Sequence, residues 1–344
     1  MNDLDAIKEI KNNPQYHLLF TDKRLQHTIF LTLGGSYAYG LNVGTSDIDV
    51  RGCALNSKQE ILLGEDFEQV CSDDVDCTIF SLNKLLNLLV NCNPNTIEML
   101  GCKKEHYFFL SPIGEEFIKN SDMFISRKCI NSFGGYANQQ LWRLNNKSNR
   151  VAPQHEQEKH ILKSIEHAAT NWKDQFFTYP DDAVRLYVDK AVNSAYDTEI
   201  FMDVNLKHYP LRDYKSMWHA MNNIVKEYNK VGSRNSKAIQ HNKLAKHMMH
   251  LVRLYYMCFD ILEKGEINTY RENDRDFLME IRNGKYLDDN LQPVPEFFEL
   301  VESLEKRLDY DSKNTSIPEK PDYKRINDFQ MYVNELVIKE KIKG

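Results

Sequence analysis

The chain lacks long hydrophobic runs, closely paired cysteines and a strong charge of either sign. No segment approaches the roughly 18 apolar residues that a membrane-spanning helix requires. The opening stretch, MNDLDAIKEIKNN, is polar, so we expect neither a span nor a signal peptide. The seven cysteines are scattered and include no Cys-x-x-Cys, which favours reduced thiols in a cytoplasmic protein.

The overall composition is that of a soluble globular protein. Hydrophobic residues make up 42% and charged residues 27% of the 344 residues, and the net charge is −6. A chain of this length forms one large domain or two ordinary ones, and it needs no disulfide or structural metal. The mild charge neither indicates nor excludes nucleic-acid binding, because a basic groove can lie within an acidic total.

The first hundred residues combine strand-like and helix-like patterns. Apolar runs predict strands at 29–33, 48–55 and 75–80, and the leucines spaced through 82–89 predict a helix. Three strands among helices predict a small sheet that helices cover on one side.

From about residue 94 onward, the chain has helical periodicity almost throughout, including amphipathic stretches at 155–176 and 182–200. Asn95, with Glu98 three residues later, has the pattern of a capping box at a helix start. We therefore expect an α+β fold, a small mixed sheet with helices followed by a mostly helical domain. The predicted division is a sheet-containing domain at 1–105 and a helical domain at 106–344, with a linker near 309–325 and a final helix at 326–342.

Three carboxylates occur where strands are predicted to begin. Alternate residues of a strand point to the same face, so we expect the side chains of Asp47 and Asp49 to converge. Asp76 begins the next predicted strand and lies beside them if the two strands are neighbours. Clustered carboxylates repel and are usually relieved by divalent cations, so the three acids predict a site for one or two Mg²⁺ or Mn²⁺ ions. Two such ions can bridge the attacking and leaving oxygens of a phosphoryl-type displacement.

A glycine turn precedes the carboxylates. Gly34, Gly35 and Ser36 follow a predicted buried strand and stand at the expected start of a helix. Glycine lets the backbone approach a phosphate closely, and N–H groups at a helix start favour anions, so the turn is a candidate triphosphate site. Taken alone, an Asp-x-Asp is usually a solvated loop and a Gly-Gly-Ser is usually only a turn. Their combination with Asp76 is more specific.

Two motifs resemble the Gly-Ser…Asp-x-Asp signature of nucleotidyltransferases of the DNA polymerase β superfamily. They are Gly35-Ser36-x-Ala38-Tyr39-Gly40 and Ser46-Asp47-Ile48-Asp49-x-Arg51-Gly52. The Ala-Tyr-Gly and Arg-Gly flanks resemble one branch, the predicted nucleotidyltransferases associated with RNA-repair ligases. Further matches to that branch are Asp76, Asn93-Pro94-Asn95 with Glu98 and Leu100, Lys246-x-x-x-His250-x-x-Arg253-Leu254, and Ile281-Arg282-Asn283-Gly284.

The resemblance implies a nucleotidyltransferase-type sheet and transfer of a nucleoside monophosphate from an NTP, such as ATP, to an acceptor hydroxyl with release of pyrophosphate. Asp47, Asp49 and Asp76 would bind two metal ions, and Asp76 would also position or deprotonate the acceptor hydroxyl. Antibiotic-modifying relatives often carry Arg at the position of Tyr39, so their substrates are not carried over. The implied nucleotide contacts are Gly35, Ser36, Tyr39, Arg51, Lys246, His250 and Arg253.

The basic residues also have structural interpretations. Lys246, His250 and Arg253 share one face of a predicted helix, which either contacts triphosphate or RNA or is a solvated face. Arg51 either braces the carboxylates or contacts a phosphate.

Three functions remain open at this level. The acceptor is RNA or a nucleotide, or it is a protein hydroxyl modified by adenylylation, or the chain is an inactive scaffold. The complete set of carboxylates with Gly-Ser argues against a scaffold. The base of the NTP, the acceptor, the oligomeric state and the role of 106–239 are not determined by the sequence.

Overall fold

The computed structural model describes residues 2–72, 74–135, 244–289 and 293–342, together with short pieces between 137 and 222 that include 184–190, 198–204 and 210–215. The chain forms two compact units. The first consists of residues 1–139, 249–285 and 295–344, and the second of residues 140–248 and 286–294. The domain division at residue 105 stays a prediction.

A five-stranded mixed sheet lies in the first unit, with the strand order β3-β4-β2-β1-β5. β2 and β4 are parallel, and every other neighbouring pair is antiparallel. The predicted strands correspond to β1, β2 and β4, while the outer strands were not predicted. The strands are β1 Thr28–Leu33, β2 Val50–Ala54, β3 Gln69–Ser72, β4 Cys77–Ser81 and β5 Tyr107–Leu110.

Apolar side chains cover both faces of the sheet, so the predicted one-sided arrangement is wrong. Leu31 and Leu33 belong to the same buried cluster as Ile10 of the first helix. On the opposite face, Phe30 stacks on Phe117 with ring centroids 6.2 Å apart. The physical reason is that β1 is a central strand that is apolar at successive positions, as expected for a strand buried on both sides.

Helices pack around the sheet, and the α+β class is confirmed. The predicted helix at 82–89 is present, and Ser81 caps it by accepting a hydrogen bond from the N–H of Lys84. The described helices with defined bounds are α1 Asp3–Asn12, α2 Leu18–Thr21, α3 Gly35–Ala38, α4 Lys58–Leu63, α5 Leu82–Leu89, α6 Pro94–Ile97, α7 Pro112–Lys119, α8 Leu244–Phe259, α9 Arg275–Arg282, α10 Pro295–Asn314 and α11 Tyr323–Ile338.

The second unit contains a β-hairpin where the periodicity predicted a helix. Its strands, β6 Val184–Lys190 and β7 Thr198–Val204, pair in antiparallel register. Val184, Leu186 and Val188 alternate with polar or aromatic residues, which is the period of a strand rather than that of a helix. The helix prediction at 182–200 is therefore wrong. The amphipathic stretch at 155–176 lies outside the described residues.

The connection before the last helix is shorter than the predicted linker at 309–325. α10 continues to Asn314, and an ion pair between Lys313 and Asp309 one turn apart supports its end. α11 begins at Tyr323, three residues before the predicted start, because Asp322 caps it by accepting from the N–H of Arg325.

Within the ranges that the structure describes, no helix has the length and apolar character needed to cross a membrane.

Candidate active site

Three loop–strand junctions meet at one edge of the sheet. Asp49 immediately precedes β2 and Asp76 immediately precedes β4, and these strands are parallel with Val50 paired to Cys77. The N–H of Val50 donates to the carbonyl oxygen of Asp76 at 2.8 Å. β1 runs antiparallel to β2, so Gly34 at its end lies beside the start of β2, and its N–H donates to the carbonyl oxygen of Asp49 at 2.8 Å. The two strands are thus neighbours, which is the condition under which Asp76 was expected to lie beside Asp49.

The glycine turn places its backbone directly against a carboxylate. Gly35 begins α3 with a φ of +51°, in the left-handed region that favours glycine. A Cβ at this position would lie 1.6 Å from Oδ2 of Asp49. Ser36 follows, half-buried, and its carbonyl oxygen accepts from the N–H of Leu41 at 2.9 Å. The turn therefore needs glycine both for its conformation and for its contact with Asp49.

Asp49 and Asp76 form a carboxylate pair with unequal environments. Burial, followed by the hydrogen bond and charge of Asp76, raises the pKa of Asp49 to about 7. Burial alone would raise the pKa of Asp76 as well, but its hydrogen bond with Asp49 and the charge of Arg51 lower it. Two carboxylates in hydrogen-bond contact share a proton, and a cation can take the place of that proton.

Arg51 braces this pair. Its Nη2 lies 2.8 Å from Oδ1 of Asp76 and 3.9 Å from Oδ1 of Asp49. Its Nη1 donates to the carbonyl oxygens of Val50 and Asp76 at 3.0 and 3.1 Å. The planar guanidinium thus fixes both side chains and the two strand starts at once. Of the two interpretations drawn from the sequence, these contacts fit the one in which Arg51 braces the carboxylates.

Asp47 lies on the loop before β2, which begins only at Val50, and it is exposed. Its convergence with Asp49 stays a prediction. Within the described part of the chain, no three His, Cys, Asp or Glu side chains are grouped as metal ligands. The preceding Ser46 shapes the loop, since its hydroxyl accepts from the N–H of Val43 at 2.9 Å. A metal-binding role for Asp47 stays a prediction.

Tyr39 and Arg253 are both buried, and they are in contact. The Arg253 guanidinium lies 3.4 Å from the centroid of the Tyr39 ring, and the Tyr39 hydroxyl donates to the carboxylate of Glu98. Along α8, Lys246 is exposed and His250 is half-buried. Nucleotide contacts by Tyr39, Lys246, His250 and Arg253 stay predictions.

Glu98 lies in the site region, and the sequence pattern assigned it the wrong role, that of a partner in a capping box. Asn93, and not Asn95, caps α6, because its side chain accepts from the N–H of Asn95 and Pro94 occupies the first helical position. Glu98 is therefore free of a capping role and is turned inward to Tyr39. The Asn-Pro dipeptide was the sequence signal for the correct cap, since proline favours the first position of a helix.

The comparison with known families bears on this arrangement. The model of the RNA repair pathway DNA polymerase beta family matches residues 2–178, which is more than half of the chain. The chain belongs to this family. It is thus a polymerase β-like nucleotidyltransferase family member linked to RNA repair, as the two motifs indicated. The match includes the glycine turn and all three aspartates and ends before α8. Neither the curated proteins nor the solved structures gave a match.

Proposed function

We propose that this chain is a metal-dependent nucleotidyltransferase that transfers a nucleoside monophosphate from an NTP to an acceptor hydroxyl and releases pyrophosphate. The observation that carries the proposal is the carboxylate pair of Asp49 and Asp76 at the start of two parallel strands, beside the glycine turn at Gly35. Family membership supports the same chemistry. A glycine turn and paired carboxylates together suit a ligand that carries both phosphates and divalent cations.

The donor set fits Mg²⁺ or Mn²⁺. Carboxylate oxygens are the ligands that these hard cations prefer, and Nη2 of Arg51 holds Asp49 and Asp76 together at 3.9 and 2.8 Å. Asp47 precedes Asp49 on a loop and would complete the set. When bound, two such ions neutralise the phosphate oxygens and activate the acceptor oxygen. The side chain of Asp76 is more exposed than that of Asp49, which suits its predicted role of accepting the proton of the acceptor hydroxyl.

The protein groups that meet the triphosphate are at the turn. The first N–H groups of a helix have no intrahelical partners and favour anions. Ser36, a half-buried residue, provides a hydroxyl in the same turn. Arg51 holds the carboxylates in place. A phosphate contact by Lys246, which is exposed on α8, stays a prediction.

RNA is the acceptor that family membership favours. A direct test is incubation of the full chain with each α-³²P-labelled NTP, Mg²⁺ or Mn²⁺, and either RNAs with defined 3′ ends or a protein lysate. We expect metal-dependent label in RNA, abolished by EDTA and by the double variant Asp47→Asn, Asp49→Asn. Label in protein would instead assign protein nucleotidylation. An absence of label in every reaction would contradict the proposed function.

Dependence on salt separates an RNA acceptor from a small nucleotide. Contacts with a polynucleotide backbone release counterions, so the affinity for RNA falls steeply as the salt concentration rises. We expect the KM for RNA to rise steeply between low and physiological salt, with a much smaller change in the KM for NTP. Equal and weak salt dependence of the two constants would favour a mononucleotide acceptor.

A further inference from the structure

The segment directly after the glycine turn is held by hydrogen bonds from distant arginines. This segment, Tyr39–Leu41, is called the post-turn segment below. The carbonyl oxygen of Tyr39 accepts from the backbone N–H of Arg271 at 3.1 Å, and that of Gly40 accepts from Nε of Arg275 at 2.9 Å. The carbonyl oxygen of Leu41 accepts from Nη1 of Arg282. Three successive carbonyl groups thus accept hydrogen bonds from arginines of one later segment, residues 271–282.

The Tyr39 side chain fixes the same segment from inside the protein. Its ring is buried beneath the Arg253 guanidinium, and its hydroxyl donates to Glu98. Glu98 is also buried, and a hydrogen bond fixes its backbone, because its carbonyl oxygen accepts from the hydroxyl of Thr269 at 2.6 Å. A planar cation over an aromatic face is a favourable contact that strengthens when water is excluded.

The surroundings of Arg253 differ from those of a phosphate ligand. Only 8% of the residue is exposed, and its Nε has no hydrogen-bond partner and lies buried. Burial raises the pKa of Glu98, and the charge of Arg253 opposes that shift, so the two buried charges compensate each other. Arg253 is therefore directed to the Tyr39 ring and to Glu98 rather than to solvent.

Tyr39 is connected to the reaction centre through one turn of helix. Its N–H donates to the carbonyl oxygen of Gly35 at 3.4 Å, so a displacement of Tyr39 moves the start of α3. Gly35 in turn lies against the carboxylate of Asp49. The chain of contacts thus runs from Arg253 through Tyr39 and Gly35 to Asp49.

We propose that Arg253 and Glu98 are positioning residues that act through Tyr39 on the glycine turn and Asp49, and that Arg253 is not a ligand of the nucleotide. This inference rests on the proposed function. It predicts that loss of either residue lowers kcat while the KM for NTP is retained, because the bound nucleotide keeps its ligands but meets a misplaced carboxylate. A misplacement of about 1 Å in a reacting group can cost about 100-fold in rate.

The test combines kinetics with hydrogen exchange on the full chain. For Arg253→Met and Glu98→Ala, we expect kcat to fall about 10- to 100-fold with the KM for NTP changed less than about 2-fold. Amide exchange of the post-turn segment should speed up about 10-fold, while exchange in β4 stays unchanged. Glu98→Gln keeps an acceptor for the Tyr39 hydroxyl and should retain most activity. If Arg253→Met does not fold, Arg253→Lys is measured in its place.

The charges of Arg253 and Glu98 compensate each other, so a second substitution should restore part of the kcat lost in the first variant. A merely structural role would not give this recovery of kcat. Removal of Arg253 leaves Glu98 as an uncompensated buried charge, so adding Glu98→Gln to Arg253→Met should recover part of the lost kcat. The control variant is Arg307→Met, which removes a guanidinium that lies 4.2 Å from the Phe259 ring and pairs with Glu263. We expect it to leave kcat and exchange of the post-turn segment unchanged.

The outcomes separate the positioning role of Arg253 and Glu98 from the proposed function. A rise in the KM for NTP with kcat retained in Arg253→Met would identify a nucleotide ligand and overturn the positioning role. Unchanged exchange of the post-turn segment in both variants would overturn it as well. A wild-type chain that turns over no NTP would contradict the proposed function instead, and the exchange measurement then decides whether Arg253 and Glu98 hold the segment.

Discussion

The carboxylate of Asp49 lies so close to the Cα of Gly35 that a methyl group on that carbon would be 1.6 Å from Oδ2. Gly35→Ala should therefore displace Asp49 in addition to straining a backbone with φ of +51°. The left-handed conformation alone costs about 1–2 kcal/mol for a residue with a side chain. We expect a loss of activity of about 100-fold or more, measured as NTP turnover alongside thermal unfolding.

Gly64→Ala is the matched control for that substitution. Gly64 also has a positive φ, +69°, but a Cβ there would have no neighbour within 4 Å. It should lower the free energy of unfolding by about 1 kcal/mol and leave turnover unchanged. Equal activity of the two variants would show that the contact between Gly35 and Asp49 has no part in the reaction.

Neutralising one member of the carboxylate pair should separate stability from activity. In Asp49→Asn or Asp76→Asn, the new amide can donate to the remaining carboxylate in place of the shared proton, so we expect the fold to be retained. The attraction for a divalent cation is lost, and turnover should fall by about three orders of magnitude. Mg²⁺ should raise the Tm of the wild type but not that of either variant. Asp74→Asn, at an exposed neighbouring position, is the control and should behave as wild type.

Arg51→Lys keeps the charge beside the carboxylates and removes the fork. A lysine ammonium cannot reach the carbonyl oxygens of Val50 and Asp76 and the Asp76 carboxylate together, as Nη1 and Nη2 of Arg51 do. We expect turnover to fall about 10- to 100-fold, as is typical when a group that orients metal ligands is changed. The affinity for Mn²⁺, measured by calorimetry, should weaken with it. Full activity in Arg51→Lys would mean that charge alone suffices.

The parts of the site that follow from local sequence were predictable, and those that depend on tertiary packing were not. β2 and β4 follow from the local sequence, and their parallel pairing, which the sequence left open, brings Asp76 beside Asp49. β3 escaped prediction because it is an edge strand, with only Val70 fully buried among its four residues. The inward orientation of Glu98 and the burial of Arg253 depend on contacts between residues far apart in the chain. Hydrophobic periodicity reports only on neighbouring residues and does not predict such contacts.

Asp311, a buried acid of α10, gives a prediction on stability. Burial, followed by a hydrogen bond with Glu263, raises the pKa of Asp311 in the folded protein. A raised pKa means that the folded state binds this proton more tightly than the unfolded chain, so stability is lost as the pH rises from the ordinary pKa of aspartate through the folded value. Asp311→Asn should therefore raise the free energy of unfolding at pH 7, because the amide can donate permanently to Glu263.

The difference between Asp311→Asn and wild type should disappear in acid, below about pH 3, where the aspartate is protonated in both states. Urea unfolding at pH 7 and at pH 3 checks this directly. A variant less stable than wild type at pH 7 would show that the attraction of Arg307, 3.6 Å from Oδ2, outweighs the cost of burial.

The arginine contacts on the post-turn segment also set the order of events during synthesis. Gly40 and Arg275 are 235 residues apart, and Leu41 and Arg282 are 241 residues apart. At roughly 5–20 residues per second, the ribosome needs on the order of ten seconds or more between the two partners. All strands of the first-unit sheet emerge early in that interval, while the carbonyl groups of Tyr39–Leu41 still await their donors. A nascent chain therefore carries the proposed metal ligands long before the post-turn segment beside them is fixed, which requires that Arg282 has been synthesised.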